Sequence, residues 1–143
     1  MIYQALRAFL LADAAISASV GTRIYPVKLP QQTAYPAILM TRITGIPNAQ
    51  LHGKASIDQE RWQIDCIMKE SSGVAAFDVA QRLAADVRAR LESYVGDMID
   101  ASVSPYVTYK TSADWLIDRD LYESDVNGGF HRNSADYQLW RST

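Results

Sequence analysis

Apolar residues first recur at helical spacing. Ile2, Leu6, Phe9 and Leu10, with Ala5 beside them, set a stripe of period near 3.6. Asp13, Ser17 and Ser19 loosen the pattern and Gly21 ends it. Arg23-Ile24-Tyr25-Pro26 predicts a short extended piece closed by proline. Residues 27–35, with Pro30 and little periodicity, read as a loop. Pro36 opens a strand over residues 37–44, and Gly45-Ile46-Pro47-Asn48 stops it. After a polar connection holding His52, Gly53 and Lys54, residues 56–69 form a second strand. Trp62, Ile64, Cys66 and Met68 share one face, and Arg61, Gln63, Asp65 and Lys69 the other, interrupted by Ile67. This period of two marks a strand with one face buried. The two strands predict an antiparallel hairpin with a long, projecting loop.

Ser71 or Ser72 is placed to cap the next helix, because a hydroxyl accepts from an otherwise free amide. That helix is expected to run to about Tyr94, with Phe77, Ala80, Leu83, Ala84, Val87 and Leu91 as its apolar stripe. Asp78 with Arg82 and Asp86 with Arg90 are i,i+4 pairs, each worth about 0.2–0.5 kcal/mol. Gly96 is the expected stop. Residues 106–116 predict a strand, Asn127-Gly128-Gly129 a turn, and residues 130–141 a last strand. Ala135, Tyr137 and Leu139 fall on one side of it and Asp136, Gln138 and Trp140 on the other. The expectation is an α+β fold: a mainly antiparallel sheet of four to five strands with two helices packed on one face, in a single domain over residues 1–143.

Composition narrows the function more than the fold. A chain of 143 residues, 48% hydrophobic and 21% charged, has enough apolar content to bury a core without staples. A net charge of -2 and a pI near 5.6 argue against a protein that coats DNA or RNA. A lone cysteine, Cys66, excludes an internal disulfide. The apolar start of the chain contains Gln4 and Arg7, is too short to span a bilayer, and lacks the marks of a signal peptide. No membrane partner is expected.

No constellation for chemistry emerges. His52 and His131 are the only histidines, and neither has a metal-binding partner at usable spacing. Cys66 lies on the apolar parity of its strand, which reads as a buried, inert thiol. The acidic stretch Asp114, Asp118, Asp120, Glu123 and Asp125 fails as a calcium loop. The sixth position is Glu123 when counted from Asp118 and Phe130 when counted from Asp125, where glycine is needed. It reads as a solvated loop or a docking surface. Gly128-Gly129 precedes no helix pattern, so it reads as a hairpin turn and not as a phosphate cradle. Arg7, Arg82, Arg88 and Arg90 are interleaved with acids and read as solvated helix faces. Tyr106, Tyr109 and Trp115 read as filling a sheet face or an interface, although they have the chemistry to stack on bases. No catalytic, cofactor-binding or metal-binding residue is assigned.

The order of these segments is nonetheless distinctive. Gly21-Thr22-Arg23-Ile24-Tyr25-Pro26 follows a short helix, then come Leu29-Pro30-Gln31 and Tyr35-Pro36-Ala37-Ile38. Arg61-Trp62-Gln63-Ile64-Asp65 follows, then an alanine-rich helix with Val87-Arg88 and Leu91. Tyr122-Glu123, a polar turn and Ser134-Ala135-Asp136-Tyr137-Gln138-Leu139-Trp140 close the series. Over nearly the whole chain this resembles the tail completion, or tail terminator, proteins of long-tailed phages and prophages. The resemblance implies a homo-oligomeric ring, usually a hexamer, at the head-proximal end of the tail tube. Its partners would be the tail tube protein and the head-tail connector protein, with DNA only as passing cargo. It would sit in the virion tail, and in the host cytoplasm during assembly. The family has no shared catalytic residues to carry over, and no cofactor. A head-tail joining or minor tail protein, or a dimeric α+β module binding a small ligand, are the alternatives. Two segments are expected to reach neighbouring subunits or tail partners: the hairpin loop with Asn48, Leu51, His52 and Lys54, and the acidic segment with Trp115, Asp118, Asp120 and Tyr122.

Overall fold

The computed structural model describes residues 2–50, 53–71, 74–125 and 128–142, with the side chains of residues 47–50, 53–56 and 125 outside the description. Three helices and six strands lie among the described residues: α1 Ile2–Leu11, α2 Ala14–Val20, β1 Ile24–Pro26, β2 Ala37–Gln50, β3 Gly53–Lys69, α3 Ala76–Leu91, β4 Tyr94–Asp100, β5 Val107–Asp125 and β6 Gly128–Ser142. The strands form one curled, half-barrel sheet in the order β1-β2-β3-β6-β5-β4. β1 runs parallel to β2, and every other neighbouring pair is antiparallel. The expected mainly antiparallel sheet of four to five strands with two helices on one face is therefore corrected to a mixed six-stranded sheet with three helices.

Each departure has a local cause. Asp13 splits the first helical stretch, because its Oδ1 accepts from the backbone amides of Ala15 and Ile16 and so caps a new helix. Gly21 then ends α2 at φ 61, where a side chain would be strained. Of the two caps expected, Ser71 does not cap the helix, and Ser72 lies outside the described residues. α3 begins after Ala75, whose side chain makes no cap, and Ser71 bridges Val74 in the preceding turn. α3 stops at Leu91, and a turn with Ser93 at φ 59 leads straight into β4. β2 runs through Gly45 and Pro47 with register shifts on either side. Its outer flank is paired by β1 only over Ile38–Met40, so the missing amide of Pro47 breaks no ladder shared with two neighbours.

The core lies between the helices and one face of the sheet. Leu6 and Leu10 of α1, Ile16 and Val20 of α2, and Leu83, Val87 and Leu91 of α3 meet Ile38, Met40, Trp62, Ile64, Cys66, Met98, Ala135, Tyr137 and Leu139. Each fully buried leucine or isoleucine contributes on the order of 1.5–3 kcal/mol. α3 lies over β3 and β6 in the middle of the sheet, and α1 over β4. Phe77, expected in the apolar stripe of α3, is instead half exposed at the open end of that helix. The i,i+4 ion pair observed on α3 is Arg88–Glu92, Nε to Oε2 at 2.9 Å, and not either of the pairs expected from spacing.

Candidate interaction surfaces

Four of the eight candidate residues, Trp115, Asp118, Asp120 and Tyr122, fall on β5, and not on a loop. β5 is paired on both sides from Lys110 to Ala113, where its ladder with β4 ends. From Asp114 to Asp125 its only partner in the described sheet is β6. Leu116, Ile117, Leu121 and Tyr122 are exposed there on a strand with one free flank. Such an edge offers unpaired amides and carbonyls to another chain.

A bulge sets which way the candidates face. Trp115 pairs with Tyr137 and Ile117 with Asp136, so Leu116 is an extra residue. Without it, Trp115 and Asp118 would alternate to opposite faces. With it, Trp115, Asp118, Asp120 and Tyr122 all lie on the helix face, while Ile117, Arg119 and Leu121 turn to the other. The guanidinium of Arg88 lies 3.8 Å from the centroid of Trp115. Asn133 Nδ2 donates to Asp118 Oδ2 at 3.1 Å and to Asp120 Oδ1 at 3.0 Å. Gln81 of α3 donates to the same Asp120 oxygen. These acids are thus held by amides along the strand.

Tyr122 and His131 belong to a cluster at the open end of α3. His131 Nε2 is 2.9 Å from Glu70 Oε1, and Tyr122 donates to Glu70 Oε2 at 3.4 Å. The Glu70 charge, with a smaller contribution from burial, raises the Tyr122 phenol above its ordinary range. The His131 ring lies 5.0 Å from the Tyr122 ring and 5.9 Å edge-on from the Phe77 ring. An open groove of about 610 Å³ beside it is lined by Glu70, Val74, Phe77, Asp78 and His131. Sequence spacing could not find this cluster, because Glu70 and His131 are brought together by strand pairing and not by proximity along the chain.

The second expected contact segment is an arm. Ile57 of β3 pairs with Ser142 of β6, and beyond that point the described parts of β2 and β3 pair only with each other. Gln50 pairs with Gly53, so the hairpin is paired almost to its tip, where a long loop had been expected. Leu51 and His52 lie outside the described residues, as do the side chains of Asn48 and Lys54. Residues 41–57 contain Arg42, His52 and Lys54 and no acid. Residues 114–125 contain Asp114, Asp118, Asp120, Glu123 and Asp125 against Arg119 alone. The two unpaired flanks therefore lie on opposite sides of one sheet and carry opposite charge.

Arg7 and Arg90 are not merely solvated. Arg7 donates to the carbonyls of Ile24 and Thr22, tying α1 to β1. Arg90 stacks 4.0 Å over Phe9 and donates to its carbonyl. Cys66 is buried, and burial, helped by the nearby Asp65 and Asp86 charges, raises its thiol far above the ordinary range. Tyr109 is buried in the core, whereas Tyr106 is exposed. Among the described residues no group of three or more His, Cys, Asp or Glu side chains is placed to hold a metal, and no helix is long and apolar enough to cross a membrane.

Comparison with known proteins agrees with this arrangement. A family model described as tail completion protein gp17 matches residues 4–140. A chain in the solved virion of a native gene transfer agent particle superposes with a TM-score of 0.65 at 20% identity. The match covers 98% of this chain and 94% of that one. At this identity the likeness concerns the fold. No curated protein matches the chain.

Proposed function

We propose that this chain, which belongs to the tail completion protein gp17 family, assembles into a hexameric ring on the head-proximal end of a tail tube. The chain is a structural protein of a phage- or prophage-type tail. The ring ends tube polymerisation and gives the head connector a surface to meet, while DNA passes through its centre. The observation that carries this reading is a family match running from residue 4 to residue 140, almost end to end. The architecture supports it physically. Closed rings are built from heterologous contacts, in which two different patches of the same molecule meet around a circle. A sheet with one free flank on β2 and another on β5 has two such patches.

The test is to remove the gene from its particle and image the tails. Tubes that overrun their normal length and do not join heads are the expected result. Tubes of normal length that fail only at head attachment would move the protein to the head side of the joint. Normal, infectious particles would refute the reading.

A further inference from the structure

We infer that the β2–β3 arm of one subunit lies along the free flank of β5 in the next, so that a second copy of this chain is the occupant of both. This rests on the ring reading and assigns its subunit contact. Three observations on the sheet converge. First, β5 from Asp114 onward is a long strand with one flank open, carrying exposed Leu116, Ile117, Leu121 and Tyr122. A strand of that kind offers a pairing edge, and its acids and the bulge at Leu116 narrow what can pair with it. Second, the arm extends past the end of β6, so its outer part has no sheet neighbour within the described residues beyond its own two strands. Ile43, Ile46 and Ile57 at its base are exposed. Isolated two-stranded ribbons are marginal in water, and a neighbour that covers them removes that weakness.

Third, the charges match. The outer arm, residues 48–56, carries Lys54 and no acid, Arg42 at its base being paired with Glu60, and the β5 segment 114–125 carries five acids against one arginine. Complementary fields fix which surfaces meet and suppress the wrong ones: two arms repel each other, and so do two β5 flanks. The two flanks lie on opposite sides of one sheet, with β3 and β6 between them, so the arm does not pair with the β5 of its own chain. The contact is therefore head-to-tail. Repetition of a head-to-tail contact gives a closed ring when the rotation per subunit divides the circle, and a filament otherwise.

Cross-linking between differently substituted full-length chains tests this directly. Cys66 is the only native cysteine and is buried, so it stays silent toward a short bis-maleimide. Chains with Ala49→Cys or Lys54→Cys in the arm are mixed with chains carrying Asp114→Cys or Leu121→Cys on β5. The expected product is a covalent dimer that forms only in the mixtures and not within either parent. Charge inversion gives an independent reading. Lys54→Glu should raise the concentration for half-assembly about tenfold, and adding Asp114→Lys with Glu123→Lys should restore most of the loss. If rings form by mass and by negative-stain microscopy, yet no arm–β5 product appears and charge inversion changes nothing, the contact assigned here is wrong and the ring reading stands. If the unmodified chain forms no ring even with its tail tube protein present, both fall together.

Discussion

Arg141 places its Nε 2.5 Å from Oε2 of Glu60, a carboxylate only 1% exposed on the helix face of β3. Arg42 holds the other oxygen, Nη1 to Oε1 at 3.2 Å. One buried acid thus joins β2, β3 and β6 at the base of the arm. Glu60→Ala leaves two arginines facing each other without their common anion. Removing one member of a buried pair costs about 3–5 kcal/mol. Both arginines reach water in part here, so a loss of about 2–3 kcal/mol is expected. Urea denaturation of the variant reads this as a lowered midpoint with unchanged slope, and an unchanged midpoint would show the clamp to be inert.

Asn133 is the amide that holds Asp118 and Asp120 on one side of β5, and it is 2% exposed. Asn133→Asp replaces the donor with a third carboxyl. At neutral pH a loss of about 2–4 kcal/mol is expected, from like-charge repulsion and a buried charge without a partner. The neighbouring acids hold the new carboxyl above its unfolded range, so the variant is stable when that group is protonated. Lowering the pH from 7 to 5 should return part of the lost stability relative to the parent. Equal penalties at both pH values would exclude electrostatic origin.

Cys66 and Tyr137 set an alkaline limit. Burial raises the thiol and, as the largest influence, the phenol above their ordinary ranges. Their neutral forms are the ones the fold favours, so their contribution is complete below the unfolded values, near 8.5 and 10. It is lost as pH rises above these values toward the raised folded ones. One proton of difference between the states costs about 1.4 kcal/mol per pH unit. Unfolding free energy should therefore fall between pH 9 and 10 in the parent and fall less steeply in Cys66→Ala. A flat profile in the parent would contradict the burial of the thiol.

Arg88 is poised between Glu92 and the face of Trp115. Arg88→Met keeps the stem and loses the charge. A small loss of stability is expected, as for an exposed cation on an indole. Because Trp115 begins the free flank of β5, the same variant should change the emission of that tryptophan when measured in a Trp62→Phe, Trp140→Phe background. An unaltered spectrum would show that the two groups do not stack in solution.

The sequence made some of this legible and hid the rest for physical reasons. The alternation of Trp62, Ile64 and Cys66 told their face correctly, because β3 is a central strand with one face under α3. Leu83, Val87 and Leu91 were likewise readable as the buried stripe. β4 was hidden because it is a short edge strand with Gly96 in it and its odd-numbered positions exposed, Val95 most of all. The far half of β5 has the sequence of a loop for a related cause. With a free flank and little cover on either face, it shows no alternation of apolar and polar residues. Gly45 and Pro47 are breakers inside a fully paired strand, but at an edge they are tolerated. The bulge at Leu116, which brings Trp115 and Asp118 to one face, leaves no mark in composition. It appears only when the register with β6 is drawn.

The strand order has a consequence for synthesis. β6 fills the centre of the sheet, yet it is made after both strands that it joins. A nascent chain that has reached only Asp125 has β1, β2 and β3 as one group and β4 and β5 as another, with nothing between them. Joining them requires pairings that span residues 57–69 with 130–142, which are slow to form because so much chain must be closed first. The two flanks become parts of one rigid body only at that step. A polypeptide cut short before β6 therefore never holds both flanks in one sheet.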